Sequence, residues 1–413
     1  MGSLVGIVVV VIGILASVAL HEVGHMLPAK KFGVLVPDYA VGFGPALWKK
    51  KIGETTYALR AILLGGYVKI VGMYAPARPG TRLVGRGGKL TLAQEAREAS
   101  AEEIPEGQEH RAFYHLSAPK KVTVMLGGPL MNLLICIVLS AVTMIGIGAP
   151  TASRTIADVP ATITSASGEV ASPAYEAGVR PGDTVVAWNG APVSTFADLQ
   201  RAVGATPDGE SAVLTVERDG GTVDLTVTPV TGAQGVHIVG VTAGYEYVSA
   251  SLSDVAAANW QMFKGTASVV LRLPQAVWQV GRSIVTDEKR DASGVVSVVG
   301  VGRMAGEVTG DSQALGLQDT RQVVAVLLSL LASLNMALFV FNLIPLPPLD
   351  GGHILGALYE GARRTFARAR GAQDPGPADT ARLVPLTWAV GGVLVVMSVI
   401  LIVADIVKPV SLG

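Results

Sequence analysis

Four stretches of this chain are apolar over about 20 residues or more: roughly 4–28, 122–147, 323–343 and 386–407. Each is long enough to cross a hydrocarbon core of about 30 Å as a helix. Inside lipid no water satisfies the backbone, so a helix that bonds its own N–H and C=O groups is the form such a run takes. The pattern predicts a polytopic α-helical membrane protein with about four transmembrane helices. The first run is preceded only by Met-Gly-Ser and lacks the basic start and small-residue cleavage site of a secretory signal. It reads as a retained span whose inner end is marked by Lys30 and Lys31.

Charge orients the spans. Residues 28–121 carry 15 Lys/Arg against 8 Asp/Glu, whereas residues 150–322 carry 11 against 18. The loop after the third span holds Arg363, Arg364, Arg368 and Arg370. Basic segments favour the cytoplasmic side, so 28–121 and 361–382 are expected inside. The acidic middle and both termini are then outside, in a multi-pass protein of the cell membrane. A formal net charge of zero supplies no basic face for nucleic acid. A single cysteine, Cys136, excludes an intrachain disulfide and reads as a small buried or lipid-facing hydrophobe.

Between the first two spans, residues 41–70 read as two apolar-rich strands about a Lys-Gly-Glu turn, a β-hairpin. Residues 90–112 are polar and read as a loop or surface helix. Residues 155–230 alternate short strands with turn signals, among them Asp219-Gly220-Gly221, and "TFADLQRAV" reads as a helix. This predicts one small α+β domain. Residues 251–285 follow a helical period and are expected to form an interfacial or surface helix broken near Pro274. The division expected is 1–150 for the first two spans with the hairpin, 151–232 for the α+β domain, 233–322 for a linker with the surface helix, and 323–413 for the last two spans.

Within the first span stands "HEVGH". His21 and His25 are four apart, hence on one helix face, and both imidazoles can reach one metal ion. Glu22 lies beside them and is suited to take a proton from water activated by that metal. Ionisable groups inside a span are costly and mark function by default. Two histidines do not complete a catalytic zinc site, which has three protein ligands and an open position. The end of the third span, "FNLIPLPPLDGGHI", offers Asp350 as the third. His21 lies about 25 Å into its span at 1.5 Å per residue, and Asp350 follows the last apolar residues of a span running the same way. Pro345, Pro347 and Pro348 break the helix there, which lipid tolerates only in a protein-lined or wet cavity. Asn342 is placed to donate to a developing oxyanion.

These residues resemble the site-2 protease family of intramembrane zinc metalloproteases, of the bacterial PDZ-containing regulator-of-sigma type. The likeness is carried by "HEVGH", by "FNLIPLPPLDGG", by "GFGP" at 42–45, by "LLGGYVKI" at 63–70 and by "GGPLMN" at 127–132. In addition, "SPAYEAGVRPGDTVVAWNG" at 172–190 resembles a PDZ core. The resemblance implies zinc held at the positions of His21, His25 and Asp350, with Glu22 as base and Asn342 positioning substrate or the oxyanion. It implies that the hairpin is a membrane-associated β-hairpin that engages substrate and that an extracytoplasmic PDZ-like domain gates access. It further implies cleavage of single-pass membrane proteins, often anti-sigma factors, after an upstream site-1-type protease has trimmed them.

Two rival readings stand beside this one. The first is a membrane-anchored metalloprotease acting on membrane-proximal loops. The second is a PDZ receptor with a structural metal, for which Glu22 would have no task. His353 reads equally as a neighbour of the metal ligands or as a packing residue at a helix start. His110, His115 and His237 read as solvated or structural. "GVGRMA" at 300–305 lacks the acidic partner of a dinucleotide fingerprint, and no role is assigned to 286–322.

Overall fold

The computed structural model describes residues 2–85, 87–207, 209–286, 295–312, 314–317 and 319–410. Part of the segment left without a role above, 287–294, lies outside the described residues. The chain divides into two compact units, one of residues 1–143 with 251–413 and one of residues 144–250.

In the first unit, α1 (Gly2–Lys31) is followed by β1 (Asp38–Ile52), β2 (Thr55–Lys69), α2 (Leu92–Glu102) and α3 (Ala118–Ala141), which runs on into a wider turn at Val142–Ile147. Among the described residues, four helices are long and apolar enough to cross a membrane, at Gly2–Lys31, Ala118–Ile147, Thr320–Asn342 and Thr380–Val407. Their mean hydropathies of 2.5 to 2.8 accompany large exposed side chains such as Leu4, Ile12, Leu134, Trp388 and Val395. Such faces suit hydrocarbon, where exposing an apolar group costs nothing.

The expected hairpin is present and turns at Gly53, which adopts φ 62°. It is more folded than a simple pair. Asp38–Val41 face Lys69–Gly66 on one side and Thr56–Leu59 on the other, while Lys49–Ile52 pair with Ala58–Thr55. Register shifts between Val41 and Trp48, where Gly42 and Gly44 take positive φ, make this doubling back possible.

The second unit carries β3 (Ala149–Asp158), β4 (Thr162–Ser165), β5 (Gly168–Ala171), α4 (Pro173–Glu176), β6 (Thr184–Trp188), β7 (Ala191–Pro192), α5 (Phe196–Gly204), β8 (Ala212–Arg218), β9 (Gly221–Val227), β10 (Val230–Thr231), β11 (His237–Ile238) and β12 (Thr242–Val248). Its main sheet runs β12-β3-β6-β8-β9, with β7 paired to β6. Ile156, Val185, Leu214, Val216 and Val227 fill its core. This β-rich unit is consistent with the expected PDZ-like domain. It extends past 151–232 at both ends because β12 pairs with β3 at the sheet edge. Asp183, almost fully buried, accepts from both Arg218 Nε and Nη2 at 2.7 Å and from the Arg180 N–H at 2.8 Å. Burial opposes its charge, yet the guanidinium and the N–H outweigh burial and hold the carboxyl below its ordinary range.

The chain then returns to the first unit through α6 (Leu252–Leu271), α7 (Leu273–Val285), α8 (Val298–Gly310), α9 (Thr320–Asn342), α10 (Asp350–Ala369) and α11 (Val384–Val407). The described residues of 233–322, read from the sequence as a linker with one surface helix, hold β11, β12 and the three helices α6, α7 and α8. The break falls at Arg272, with Pro274 in the first turn of α7. α6 is packed as well as amphipathic. Its buried Asn259 Oδ1 accepts from Cys136 Sγ at 3.2 Å, and Phe263 lies 6.2 Å from the Phe339 ring of α9. α8 lies against the first turns of α1, where a Cβ at Gly6 would stand 2.1 Å from the Ala305 carbonyl oxygen. The apolar period of "GVGRMA" is thus a helix-packing face. The segment 90–112 contains α2, capped by Thr91 and tied to the stretch before α11 by Arg97, which donates to both Asp379 oxygens at 2.6 and 2.9 Å.

Candidate metal centre

His21 and His25 project from the same face of α1, and their Nε2 atoms approach to 3.2 Å. Asp350 opens α10, and its Oδ2 lies 3.5 Å from His21 Nε2 and 3.4 Å from His25 Nε2. Ligand atoms around a tetrahedral zinc at about 2.0–2.1 Å stand about 3.3–3.4 Å apart. The three edges therefore match one face of such a tetrahedron. Asp350 Oδ2 is buried and accepts no hydrogen bond among the described residues, which suits an oxygen directed at a cation. The donor set, two imidazoles and a carboxylate, is one that zinc accepts.

Glycines permit this assembly. α1 and α3 cross so closely that a Cβ at Gly24 would meet the Gly127 carbonyl oxygen at 2.2 Å, and one at Gly128 would meet His25 Nε2 at 2.2 Å. Close approach through small residues is the usual device of helices in lipid, where hydrophobic burial gives no drive to associate. At the other ligand, Gly351 and Gly352 let α10 start directly under the proline-rich turn. Cβ atoms there would lie 2.1 Å from the Ile344 carbonyl oxygen and 2.6 Å from the Pro347 nitrogen. α10 is itself tied to α3 by Lys121, which donates to Glu360 Oε2 at 2.7 Å, an oxygen that also accepts from the Ala378 N–H at 2.9 Å.

His21, Glu22, His25 and Asp350 line one cavity of about 240 Å³, together with Gly66, Tyr67, Val68, Ile70, Met73, Met125, Pro348 and His353. β2 forms one wall of it. It comes down on α1 at Gly66, where a Cβ would be 3.3 Å from Glu22 Cγ. Glu22 thus shares its space with the two histidines and Asp350. A cavity of this size has room for a metal ion and a few water molecules. Burial pushes the His353 imidazole below its ordinary pKa, with Asp350 opposing and His25 reinforcing the shift. Asn342 stands apart. It is half-buried at the end of α9 and does not line this cavity. His110, His115 and His237 lie on short turns and on β11, outside it.

Three further groups at the site were given no role from the sequence. Val124 O lies 2.8 Å from His25 Nδ1, Asn132 Nδ2 lies 3.1 Å from His21 Nδ1, and Gly128 clears room for both rings. Gly128 and Asn132 fall within "GGPLMN", but no local pattern says which helix that motif faces.

The model of peptidase family M50 matches residues 9–373. The chain is 31% identical to zinc metalloprotease Rip1 of Mycobacterium tuberculosis, over 98% of each chain. It is also 31% identical to zinc metalloprotease Rip1 of Mycolicibacterium smegmatis, over 99% of this chain and 98% of the relative. Metalloprotease MmpA of Caulobacter vibrioides is 27% identical over 89% of each chain.

Proposed function

This chain belongs to peptidase family M50, the site-2 proteases, and is a multi-pass zinc metalloprotease; from that premise we propose that it cuts transmembrane segments of single-pass proteins within the membrane. The observation that carries the reading is the triangle of 3.2, 3.4 and 3.5 Å between His21, His25 and Asp350, contributed by a membrane-length helix and by the turn that ends another. In this reading the three side chains hold the zinc. Bound there, zinc supplies a Lewis acid that activates water and polarises a carbonyl.

The protein's own groups do the rest. Glu22 takes the proton from the attacking water and delivers it to the leaving amine. Asn342 steadies the oxyanion, which requires the end of α9 to approach the cavity when substrate is bound. A helical substrate hides its carbonyls in its own hydrogen bonds, so it must open locally. The wall formed by β2 at Gly66–Val68 offers a surface for the extended segment. The Met144–Ala250 unit acts as an extracytoplasmic PDZ-like gate, and the metal lies toward the cytoplasmic side. Anti-sigma factors trimmed by a site-1-type protease are the substrate class proposed.

Two measurements on the detergent-solubilised chain test this. Wild type should hold close to one zinc per chain and Asp350→Ala much less. Glu22→Gln should keep its zinc and lose about 10²–10⁴ in cleavage of a single-pass reporter helix with a central Asn-Pro step. Product masses locate the cut. Cleavage only in the loops beside the reporter helix would replace intramembrane cutting with the membrane-proximal reading. Unchanged cleavage by Glu22→Gln would remove Glu22 as base.

A further inference from the structure

Each histidine of the triangle has a second nitrogen, and both of these nitrogens face α3. His25 Nδ1 lies 2.8 Å from the Val124 carbonyl oxygen. A carbonyl only accepts, so Nδ1 carries the proton and the Nε2 lone pair is left for a metal. His21 Nδ1 lies 3.1 Å from the side-chain amide of Asn132. Asn132 is fully buried, on a helix that is otherwise apolar around it. With the amide nitrogen turned to His21, Nδ1 would be the acceptor and the proton would sit on Nε2. That is the wrong tautomer for a ligand. That orientation also leaves Asn132 Oδ1 buried with no partner among the described residues. A half-turn of the amide exchanges oxygen and nitrogen at no steric cost, and their assignment follows from the hydrogen-bond network.

We infer that Asn132 is a positioning residue: its Oδ1 accepts from His21 Nδ1–H, fixing the tautomer and the ring plane that present Nε2 to zinc. This rests on His21 being a metal ligand. α3 then orients both imidazoles, one through a backbone carbonyl and the other through a side chain. Partners of this kind hold ligand geometry, and losing one weakens metal affinity by roughly 10–100-fold.

The experiment measures zinc affinity of the full-length solubilised chain by competition with a chelator, for Asn132→Asp, Asn132→Leu and Asn335→Leu. Asn335 is the control, because its Nδ2 also bridges two helices, donating to Ser17 Oγ of α1 at 2.9 Å without touching a ligand. Asn132→Asp keeps an acceptor of the same shape and no donor, and should bind zinc as tightly as wild type or more so. Asn132→Leu should bind roughly 10–100-fold more weakly, and Asn335→Leu should match wild type. Wild-type affinity in Asn132→Leu overturns the inference. So does an equal loss in Asn132→Asp, which would make the amide nitrogen the required atom, or an equal loss in Asn335→Leu, which would reduce Asn132 to interhelical glue. An Asp350→Ala control separates this from failure of the zinc site itself. If that variant binds as wild type, the ligand reading falls first.

Discussion

Two aspartates divide this molecule. In the Met144–Ala250 unit, both Asp183 oxygens are taken by Arg218 and the Arg180 N–H. In the helical unit, Asp350 Oδ2 is buried beside two imidazoles and accepts no hydrogen bond among the described residues. A carboxylate kept for stability is satisfied by its own chain, because leaving it bare costs more than the pair returns. A carboxylate left bare next to two imidazoles is held for something else. The surroundings differ in the same sense. The β-rich unit packs Ile156, Leu214 and Val227 into a core driven by water, whereas the helices around Asp350 are brought together through Gly24, Gly127 and Gly128.

The comparison breaks if the two aspartates prove interchangeable in effect. Asp350→Asn is expected to weaken zinc binding by several hundredfold, roughly one ligand's share of a site worth about 10–16 kcal/mol. The zinc-free chain should unfold within about 1 kcal/mol of wild type, since no hydrogen bond is lost. Chelator competition and denaturation with the metal stripped measure the two separately. Gly128→Ala sharpens the contrast without removing a ligand. Its Cβ would stand 2.2 Å from His25 Nε2, so the ring must move, and zinc affinity should fall about tenfold with an overpacking cost of about 1–3 kcal/mol.

Asp183→Asn is expected to do the reverse. Zinc stoichiometry stays at the wild-type value, and the Met144–Ala250 unit loses about 2 kcal/mol, read as faster amide exchange in β6 and β8. The effect is moderate because Arg218 remains partly exposed and is not stranded. Its pH dependence is the finest test. The folded carboxyl titrates below its ordinary value, so its stabilisation is complete above about pH 4 and is lost as pH falls through the lowered folded value. The difference between wild type and variant should be flat from about pH 5 to 8 and shrink on acidification. A difference that grows on acidification would remove the Asp183–Arg218 pair as its source.

Much of the architecture was legible from local pattern. Apolar runs of span length can only be helices in lipid, so the four spans were readable to within a few residues at most ends. Alternation and turn residues gave away the hairpin and the α+β unit. The doubling back of β1 and β2 was not readable, because it depends on register shifts at Gly42 and Gly44 whose positive φ no periodicity encodes. Nor was α8, whose glycine-rich face resembles a loop until it is laid against α1. The extension of the sheet to β12 was missed because strand pairing between Thr242–Val248 and Ala149–Asp158 is non-local.

By itself, then, the sequence determined what is local: helix existence, the shared face of His21 and His25, and the breaking of the third span before Asp350. These follow from period, backbone satisfaction and proline geometry within a few residues. Only the tertiary structure decided which nitrogen of each histidine faces inward, that Asp350 closes the triangle at 3.4–3.5 Å, and that Asn132 and Val124 of α3 stand behind the two rings. Those facts depend on how closely α1, α3 and α10 approach one another. That distance is set by glycines on facing surfaces, a property of pairs of helices that no single stretch of chain contains.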